Sequence, residues 1–542
     1  MLSKEQATQR IQDTFSHPYN ENNYSIFIKD LLNNIQTEDN FEKQIDNDDH
    51  INSFSRIGCF EDSEGEVIDI LSVQVKNGQI LERTRTKLRD FAVDHIRNSI
   101  TNPDGCLVAF HSEDCNDWRF SFVKMNYKTI QDPKTGTIKT NEEISEPKRY
   151  SFLIGEDEPS YTAQKQMIPL LKSSNIAFND IVDAFSTESV TNEFYQAYRT
   201  LFEDLTLSLV QIKENDPKIK ENFEKEFIRE DDFAKKLLGQ IVFIYFIQRK
   251  GWLGINRDID GNFGSWGSGD KKFLRNLFNK KYCHYNNFFN DVLEHLFYNG
   301  LGTENSDNYF SLLDCKIPFL NGGIFEPLNN YNWQETDIII ENKTIEEILD
   351  VFDRFNFTVR EESDLDVDVA VDPEMLGRVF ENLLPENMRK GKGAFYTPRT
   401  IVNYMCQESI INYLDSETAE YIDFDTIQDF IKRNNVEKLS KNNAELLDSL
   451  LKDIKICDPA IGSGAFPMGM LSQIVKSRSL LCSLTEKKID KYDLKRYAII
   501  NSIYGVDLDT GAVEIAKLRL FLSLIVDEKD YDSIEPLPNL DF

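Results

Sequence analysis

The spacing of apolar residues changes along the chain, and each change marks a different kind of element. Residues 1–40 read as an amphipathic helical lead-in, with Ile26, Ile28, Leu31 and Leu32 on its apolar side. An alternating run from Arg56 to Asp62, a Ser63-Glu-Gly65 turn and a second run from Val67 to Lys76 predict a β-hairpin. Leu81–Ile96 has the helical period, and Cys106–Phe110 and Trp118–Met125 read as strands. Asp132-Pro-Lys-Thr-Gly136 predicts a turn that extends the same sheet. From about 165 to 380 the helical period dominates. Phe233–Gln248 is apolar almost all round, which predicts a buried helix. Gly261–Gly269 is a glycine-rich loop, and Phe319–Phe325 an apolar loop with a turn at its centre. Asp372 and Pro373 fit the N-cap and first position of a helix over Met375–Leu384, which Pro385 stops. The last stretch alternates. Helices are expected at Ile401–Leu414, Ala465–Val475, Lys491–Asn501 and Ala512–Val526, and strands at Ile454–Cys457 and Ile503–Val506. Strand, glycine loop, helices, strand, helix is the opening half of a doubly wound sheet. The expected fold class is α/β and multidomain. Its parts are an N-terminal α/β domain (1–160), a helical connector (161–370) and the start of a Rossmann-like domain (371–542).

Composition narrows the setting. With 40% hydrophobic and 28% charged residues, the chain has enough apolar material for real cores. Met1–Asn20 has no apolar core of a signal peptide, and Ile241–Ile247 is too short to span a bilayer. A cytoplasmic protein without a membrane partner is therefore expected. The eight cysteines include no CxxC pair, and Cys59, Cys106, Cys457 and Cys482 lie in apolar surroundings, so reduced, buried thiols are expected. The net charge of −31 opposes bulk affinity for nucleic acid. Only roughly −6 of it lies beyond residue 381, so most of the acidity is earlier, and a local basic groove could still act on an acidic protein.

The sharpest motif is Ile454-Lys-Ile-Cys-Asp458-Pro-Ala-Ile-Gly462-Ser-Gly464-Ala-Phe466. A strand runs into a carboxylate, then a glycine loop, then a helix whose first N–H groups are free. A dinucleotide fingerprint would place a third glycine where Pro467 stands. The carboxylate ahead of the loop would repel a pyrophosphate and suits a cationic ligand. S-adenosylmethionine carries an ammonium and a sulfonium and no phosphate. Farther on, Ile503-Tyr-Gly-Val-Asp507-Leu-Asp509 ends a second strand on an acid placed to take ribose hydroxyls, with Leu508 able to pack on an adenine. Gly393-Ala-Phe-Tyr396-Thr397-Pro398 precedes both.

These three blocks, in this order, resemble the N6-adenine-specific DNA methyltransferases, and most closely the long single-chain type IIG restriction–modification enzymes. Asp372–Asn382, Pro318–Gly323, Trp118–Lys124 and Ser151–Gly155 are similar to the same group, so the resemblance covers nearly the whole chain. It implies S-adenosylmethionine as cofactor and double-stranded DNA as substrate, in restriction–modification or phage defence. It also implies site residues. Tyr396, Thr397 and Pro398 would close the methionine end. Asp458 and Ala460 would sit beside the amino-acid moiety, with Pro459, Gly462, Ser463, Gly464 and Phe466 in the surrounding loop. Asp507 would take the ribose and Leu508 the adenine. Ile461 departs from the Cys or Thr often found there.

The family's catalytic Asn/Asp-Pro-Pro-Tyr/Phe loop, which holds the flipped adenine, does not occur in this chain. The chain stops where the third sheet strand would follow, so no catalytic residue is assigned. Residues 1–542 are expected to lack methyl transfer on their own. Two other classes stay open: a non-catalytic scaffold or split subunit completed by a second polypeptide, and a methyltransferase acting on protein glutamine or RNA. The long N-terminal scaffold argues against the last.

Several other features have simpler explanations. Asp509-Thr510-Gly511 resembles an aspartic-protease triplet, but sits where a helix should begin, with Asp509 as N-cap. Asn256-x-Asp258-x-Asp260-Gly261 resembles a calcium loop, but the twelfth position is Gly267 instead of Glu. Related enzymes often carry an N-terminal metal-dependent nuclease, with an Asp and a Glu-x-Lys. The nearest match is Asp69 with Gln74-x-Lys76, on one strand and five residues apart, hence on opposite faces. An inactive or scaffolding domain is expected, and Mg²⁺ only if that domain cleaves. Arg83, Arg85, Lys87 and Arg89 spread around a helix and read as a solvated face. All six histidines precede residue 300.

Overall fold

The alternating runs on either side of Ser63–Gly65 pair as an antiparallel hairpin, Ile51–Glu61 against Val67–Val75, with Arg56 opposite Leu71. The computed structural model containing it describes the chain apart from residues 1, 38–39, 46–47, 78–84, 100–102, 126, 132–137, 144–146, 321–322, 359–364, 384–396, 528–533, 535, 537 and 539–542. Two compact units are present. The first is Met1–Phe194 with Asp353–Thr358 and Glu362–Val371; the second is Tyr195–Phe352, Val359–Glu361 and Asp372–Phe542. The boundary expected at residue 160 thus falls inside the first unit, and residues 195–352 cluster with the C-terminal region.

The first unit is built on a seven-stranded sheet. Its strand order is Phe41–Gln44, Ile51–Glu61, Val67–Val75, Gly105–His111, Asp117–Lys124, Lys148–Gly155 and Asp366–Asp368. Helix Arg85–Asn98 connects the parallel pair Val67–Val75 and Gly105–His111. Its Leu88, Ala92 and Ile96 pack on Leu71, Val73, Val108 and Phe110. Elsewhere the core is aromatic: Phe15, Phe27, Tyr24 and Trp118 surround Phe120 or one another. The lead-in is two helices, Lys4–Phe15 and Glu21–Leu32, each with its own side-chain cap from Ser3 and Asn20. Pro18 in the joint lacks the N–H that a continuous helix would need.

Two further points differ from expectation. The hairpin Tyr127–Gln131 with Ile138–Glu143 is a separate two-stranded sheet and does not extend the main one; its expected turn at 132–136 lies outside the described residues. The main sheet gains its last strand from far along the chain. Asp366–Asp368 pairs parallel with Lys148–Gly155. Buried Arg119 and Arg149 donate to Asp368 and Asp366 at 2.6 and 3.0 Å. So short a strand makes too few ladder bonds to hold its place alone, and the paired charges fix it.

In the second unit, helix Glu230–Gln248 is buried from Phe233 to Gln248 apart from the half-buried Lys235 and Lys236, as its nearly all-round apolar pattern predicts. Helix Pro373–Leu383 starts as expected, Asp372 Oδ1 accepting from Met375 N at 2.7 Å. Pro385 lies outside the described residues. A parallel pair, Ile456–Asp458 and Ile503–Gly505, is flanked by helices Arg399–Thr418, Lys441–Asp453, Ala465–Leu484, Lys491–Asn501 and Thr510–Asp527. All eight cysteines are free thiols. Cys457 is exposed, contrary to its apolar surroundings in sequence: on a strand it faces opposite to Ile456 and Asp458, which are the better covered. Among the described residues, no helix is long and apolar enough to cross a membrane.

Candidate functional site

The site begins at the carboxyl end of the parallel pair in the second unit. The strand Ile456–Asp458 ends on Asp458, whose Oδ1 accepts from Ala460 N at 3.0 Å. That bond closes a tight turn over Pro459 and leaves Ala460 exposed. Asp458 Oδ2 is buried and has no hydrogen-bond donor among the described residues. Its charge is felt locally: burial pushes the Cys406 thiol up to about 12, and Asp458 adds to the rise.

The neighbouring strand closes the loop from the other side. Val506 N donates to Asp458 O, and Ile461 N to Val506 O, both at 3.0 Å. Asp507 then accepts twice, from Gly462 N and from Asp509 N, each at 2.9 Å. The second acid thereby fixes the glycine loop of the first. Asp509 Oδ1 accepts from Gly511 N at 3.0 Å, capping helix Thr510–Asp527 as its position in sequence implies. Leu508 is fully exposed.

Gly464 is the point where the loop becomes a helix. Its φ is +83°, and an added Cβ would lie 3.1 Å from Ala516 Cα and Cβ. Both the left-handed backbone and the close approach require glycine. Ser463 is buried, and its carbonyl accepts from Arg519 Nη1 at 2.9 Å. Gly377, in the helix after Asp372-Pro373, lies against the same place: a Cβ there would be 3.0 Å from Ser463 Oγ and 3.3 Å from Arg519. The block Asp372–Asn382 therefore meets the loop through a glycine.

Pro398 precedes helix Arg399–Thr418, and Thr397 is half-buried beside it. Tyr396 lies outside the described residues. This helix crosses the one that follows the loop: Cys406 Sγ donates to Phe466 O at 3.8 Å, and a Cβ on Gly469 would be 2.7 Å from Val402. Arg399 reaches buried Glu374 at 3.4 Å, tying the same segment to helix Pro373–Leu383. The turn after Pro318 has a place too. Lys236 Nζ donates to Gly323 O and to Glu514, both at 3.2 Å. Helix Glu230–Gln248 is thus joined to the base of helix Thr510–Asp527.

The structure therefore brings Asp458 to Phe466 and Asp507 together in one loop, and ties Thr397 and Pro398 to that region only through the helix that follows them. Arg519 and Gly377 escape a reading of sequence alone. Arg519 carries a signal, as one of two cations in the mostly apolar Ala512–Val526 run. Chemically, the loop offers a buried carboxylate oxygen suited to a cationic group, a second carboxylate just past the adjacent strand, and backbone without a Cβ at Gly462 and Gly464.

The nuclease candidates do not converge. Asp69 is fully buried on the side of helix Arg85–Asn98, accepting from Arg56 Nη2 at 2.7 Å and lying 2.9 Å from His95 Nε2. Burial alone would push its carboxyl up, but His95 and Arg56 outweigh that and hold it below the usual range. Gln74 instead meets Ser53, Asn52 and Glu113. Lys76 donates to Asp48 O. In the basic run, Arg83 lies outside the described residues, Lys87 is exposed and Arg89 pairs with Asp90 at 2.7 Å. Among the described residues, no group of three or more His, Cys, Asp or Glu could hold a metal.

No protein-family model matches the chain. It is 31% identical over 397 residues to the Methanocaldococcus jannaschii protein named "Putative type II restriction enzyme and methyltransferase RM.MjaORFECS2P". The match takes in 66% of this chain and 31% of that one, so the chain spans about a third of the relative's length. Among solved structures, the type IIL restriction–modification enzyme MmeI in complex with DNA is similar with a TM-score of 0.41 and 16% identity, over 64% of this chain and 39% of that one. The sequence similarity is thus to a protein named as a restriction enzyme and methyltransferase, over part of its length.

Proposed function

We propose that the second unit binds S-adenosylmethionine and that the protein serves adenine-N6 methylation of double-stranded DNA in a restriction–modification system. The observation that carries this reading is the buried oxygen of Asp458, without a donor among the described residues, at the mouth of a glycine loop. A buried carboxylate oxygen left unsatisfied is costly, and a bound ammonium would satisfy it. Asp507, already oriented by Gly462 and Asp509 N–H groups, keeps acceptor capacity for vicinal hydroxyls. Thr397 and Pro398 would close the methionine end, and exposed Leu508 would cover the adenine. The cofactor supplies an activated methyl group; these residues bind and orient it. No Asn/Asp-Pro-Pro-aromatic loop occurs in the chain, so none of its residues is assigned to hold the target base.

Calorimetric titration of the 542-residue chain with S-adenosylhomocysteine tests the reading. The Asp458→Asn variant keeps the turn acceptor and loses the charge, and should bind at least tenfold more weakly, the scale of a charge-assisted bond. Unchanged affinity in Asp458→Asn, or no binding by the unaltered chain, would sink it.

A further inference from the structure

The chain carries a net charge of −31, yet residues 249–284 hold eight Lys or Arg against three Asp. Lys271–His284 alone has five cations and no carboxylate. The segment folds as one module of the second unit. Gly251 O accepts from Gly267 N and Gly269 N at 3.1 and 2.9 Å, and Asp270 N donates to Leu253 O at 2.8 Å. Ile255 and Lys316 exchange both backbone hydrogen bonds, which adds another cation; its ammonium lies 4.0 Å from the centre of the Trp266 ring.

Asp270 and one oxygen of Asp258 are engaged inside the module, whereas Asp260 lies exposed on its loop. Asp270 accepts from Lys272 N, Asn276 Nδ2 and Tyr282 OH, with Lys281 Nζ at 3.4 Å. Asp258 Oδ1 accepts from Asn262 N within the loop's own turn. Arg275 is paired with Asp350 at 2.7 Å. On the outside, Arg257, Lys271, Lys272, Lys280 and Lys281 outnumber the exposed acids Asp258 and Asp260, and the Lys280 ammonium is held by Tyr285 O at 3.2 Å. Arg257 is also held in place, its guanidinium 4.6 Å from the Phe263 ring centre and 5.0 Å from that of Tyr309. Stacking of this kind fixes a planar cation without using its donors.

A module with a cation excess on a strongly acidic protein is where a polyanion meets the least repulsion. We infer that this module is a docking surface for the phosphate backbone of duplex DNA, with Arg257, Lys271, Lys272 and Lys280 meeting phosphates. The choice of DNA over other polyanions rests on the function proposed above; the surface itself rests on the charge and packing just described.

Affinity of the 542-residue chain for a random-sequence duplex, followed by fluorescence anisotropy across a salt series, tests this. Removing one cation that meets a phosphate should flatten the log–log salt slope by about 0.9. The variant Lys271→Ala/Lys272→Ala/Lys280→Ala should therefore reduce the slope by roughly two to three, with an unaltered thermal midpoint. Arg257→Lys, which keeps the charge and removes the planar stack, should bind more weakly at one salt concentration. An unchanged slope in the triple variant would overturn the inference. So would a failure of the unaltered chain to bind duplex at low salt, or equal binding to polyglutamate. S-adenosylhomocysteine titrations of the same samples separate the two readings. Absent cofactor binding with an intact salt slope removes only the cofactor proposal, and the converse removes only this one.

Discussion

Each unit buries carboxylates, and their partners differ. In the first unit, Asp69 is enclosed by Arg56 and His95, and Asp366 and Asp368 by Arg149 and Arg119. Those charges are closed on themselves and hold a sheet together. The second unit has such a closed pair too, Asp448 with Arg478 at 2.8 Å, but its Glu294 is fully buried with the neutral hydroxyl of Tyr331 as its donor at 2.8 Å. Asp458 keeps an oxygen with no donor among the described residues. A buried charge with a cationic partner is structural, one with a neutral partner tends to protonate, and one left open asks for a ligand.

The largest test of this contrast is to open the closed set. Asp69→Ala leaves Arg56 and His95 facing a cavity and should cost the first unit about 3–5 kcal/mol, the usual effect of removing one member of a buried pair. Hydrogen exchange of the Val67–Val75 amides would report it directly. Amides in Ile503–Gly505 should be little affected. A loss under about 1 kcal/mol would mean that the pair is solvated and the contrast is not real.

A smaller effect is expected at the open loop. Gly464→Ala must hold a left-handed residue and press on Ala516, and should cost about 1–3 kcal/mol while weakening S-adenosylhomocysteine binding severalfold. Gly65 sharpens the reading, because its φ is +89° and a Cβ there meets nothing within 4 Å. Gly65→Ala should carry the backbone strain alone and leave cofactor affinity untouched. Equal affinity in the two variants would show that the approach of Gly464 to helix Thr510–Asp527 does not shape the loop.

Much of this was legible in the sequence because it is local. Alternation and turn residues predict the Ile51–Val75 hairpin, and Asp372-Pro373 predicts a capped helix. Asp458 and Asp507 announce themselves as acids at strand ends. What sequence could not supply is pairing at a distance. Asp366 lies 217 residues from Arg149, and nothing in the three residues of its strand states where they dock. Arg56, Asp69 and His95 come from two strands and a helix, so their convergence appears only once register is set. Gly377 reads as a helix-weakening residue until Ser463 is seen against it.

The pH dependence of the second unit separates a neutral partner from a cationic one. Burial pushes Glu294 up to about 8, beyond what the Tyr331 hydrogen bond restores, and Asp337 adds to the rise. A carboxyl raised in the folded state gives stability that is complete below its unfolded value, about 4.5. That stability declines as pH climbs, and it is lost on passing about 8. The slope in between is at most one proton, about 1.4 kcal/mol per pH unit. Glu294→Gln keeps an acceptor for Tyr331 and cannot ionise, so its advantage over the unaltered chain should grow steadily from pH 5 to pH 8. Asp69 predicts the opposite sign in the first unit: its lowered carboxyl gives stability above the unfolded value that is lost only as pH falls through the folded one. Denaturation of Glu294→Gln and the unaltered chain across that range, read by hydrogen exchange in each unit, decides the matter. Parallel curves in the second unit would mean that Glu294 stays ionised and that a tyrosine hydroxyl suffices to hold a buried charge.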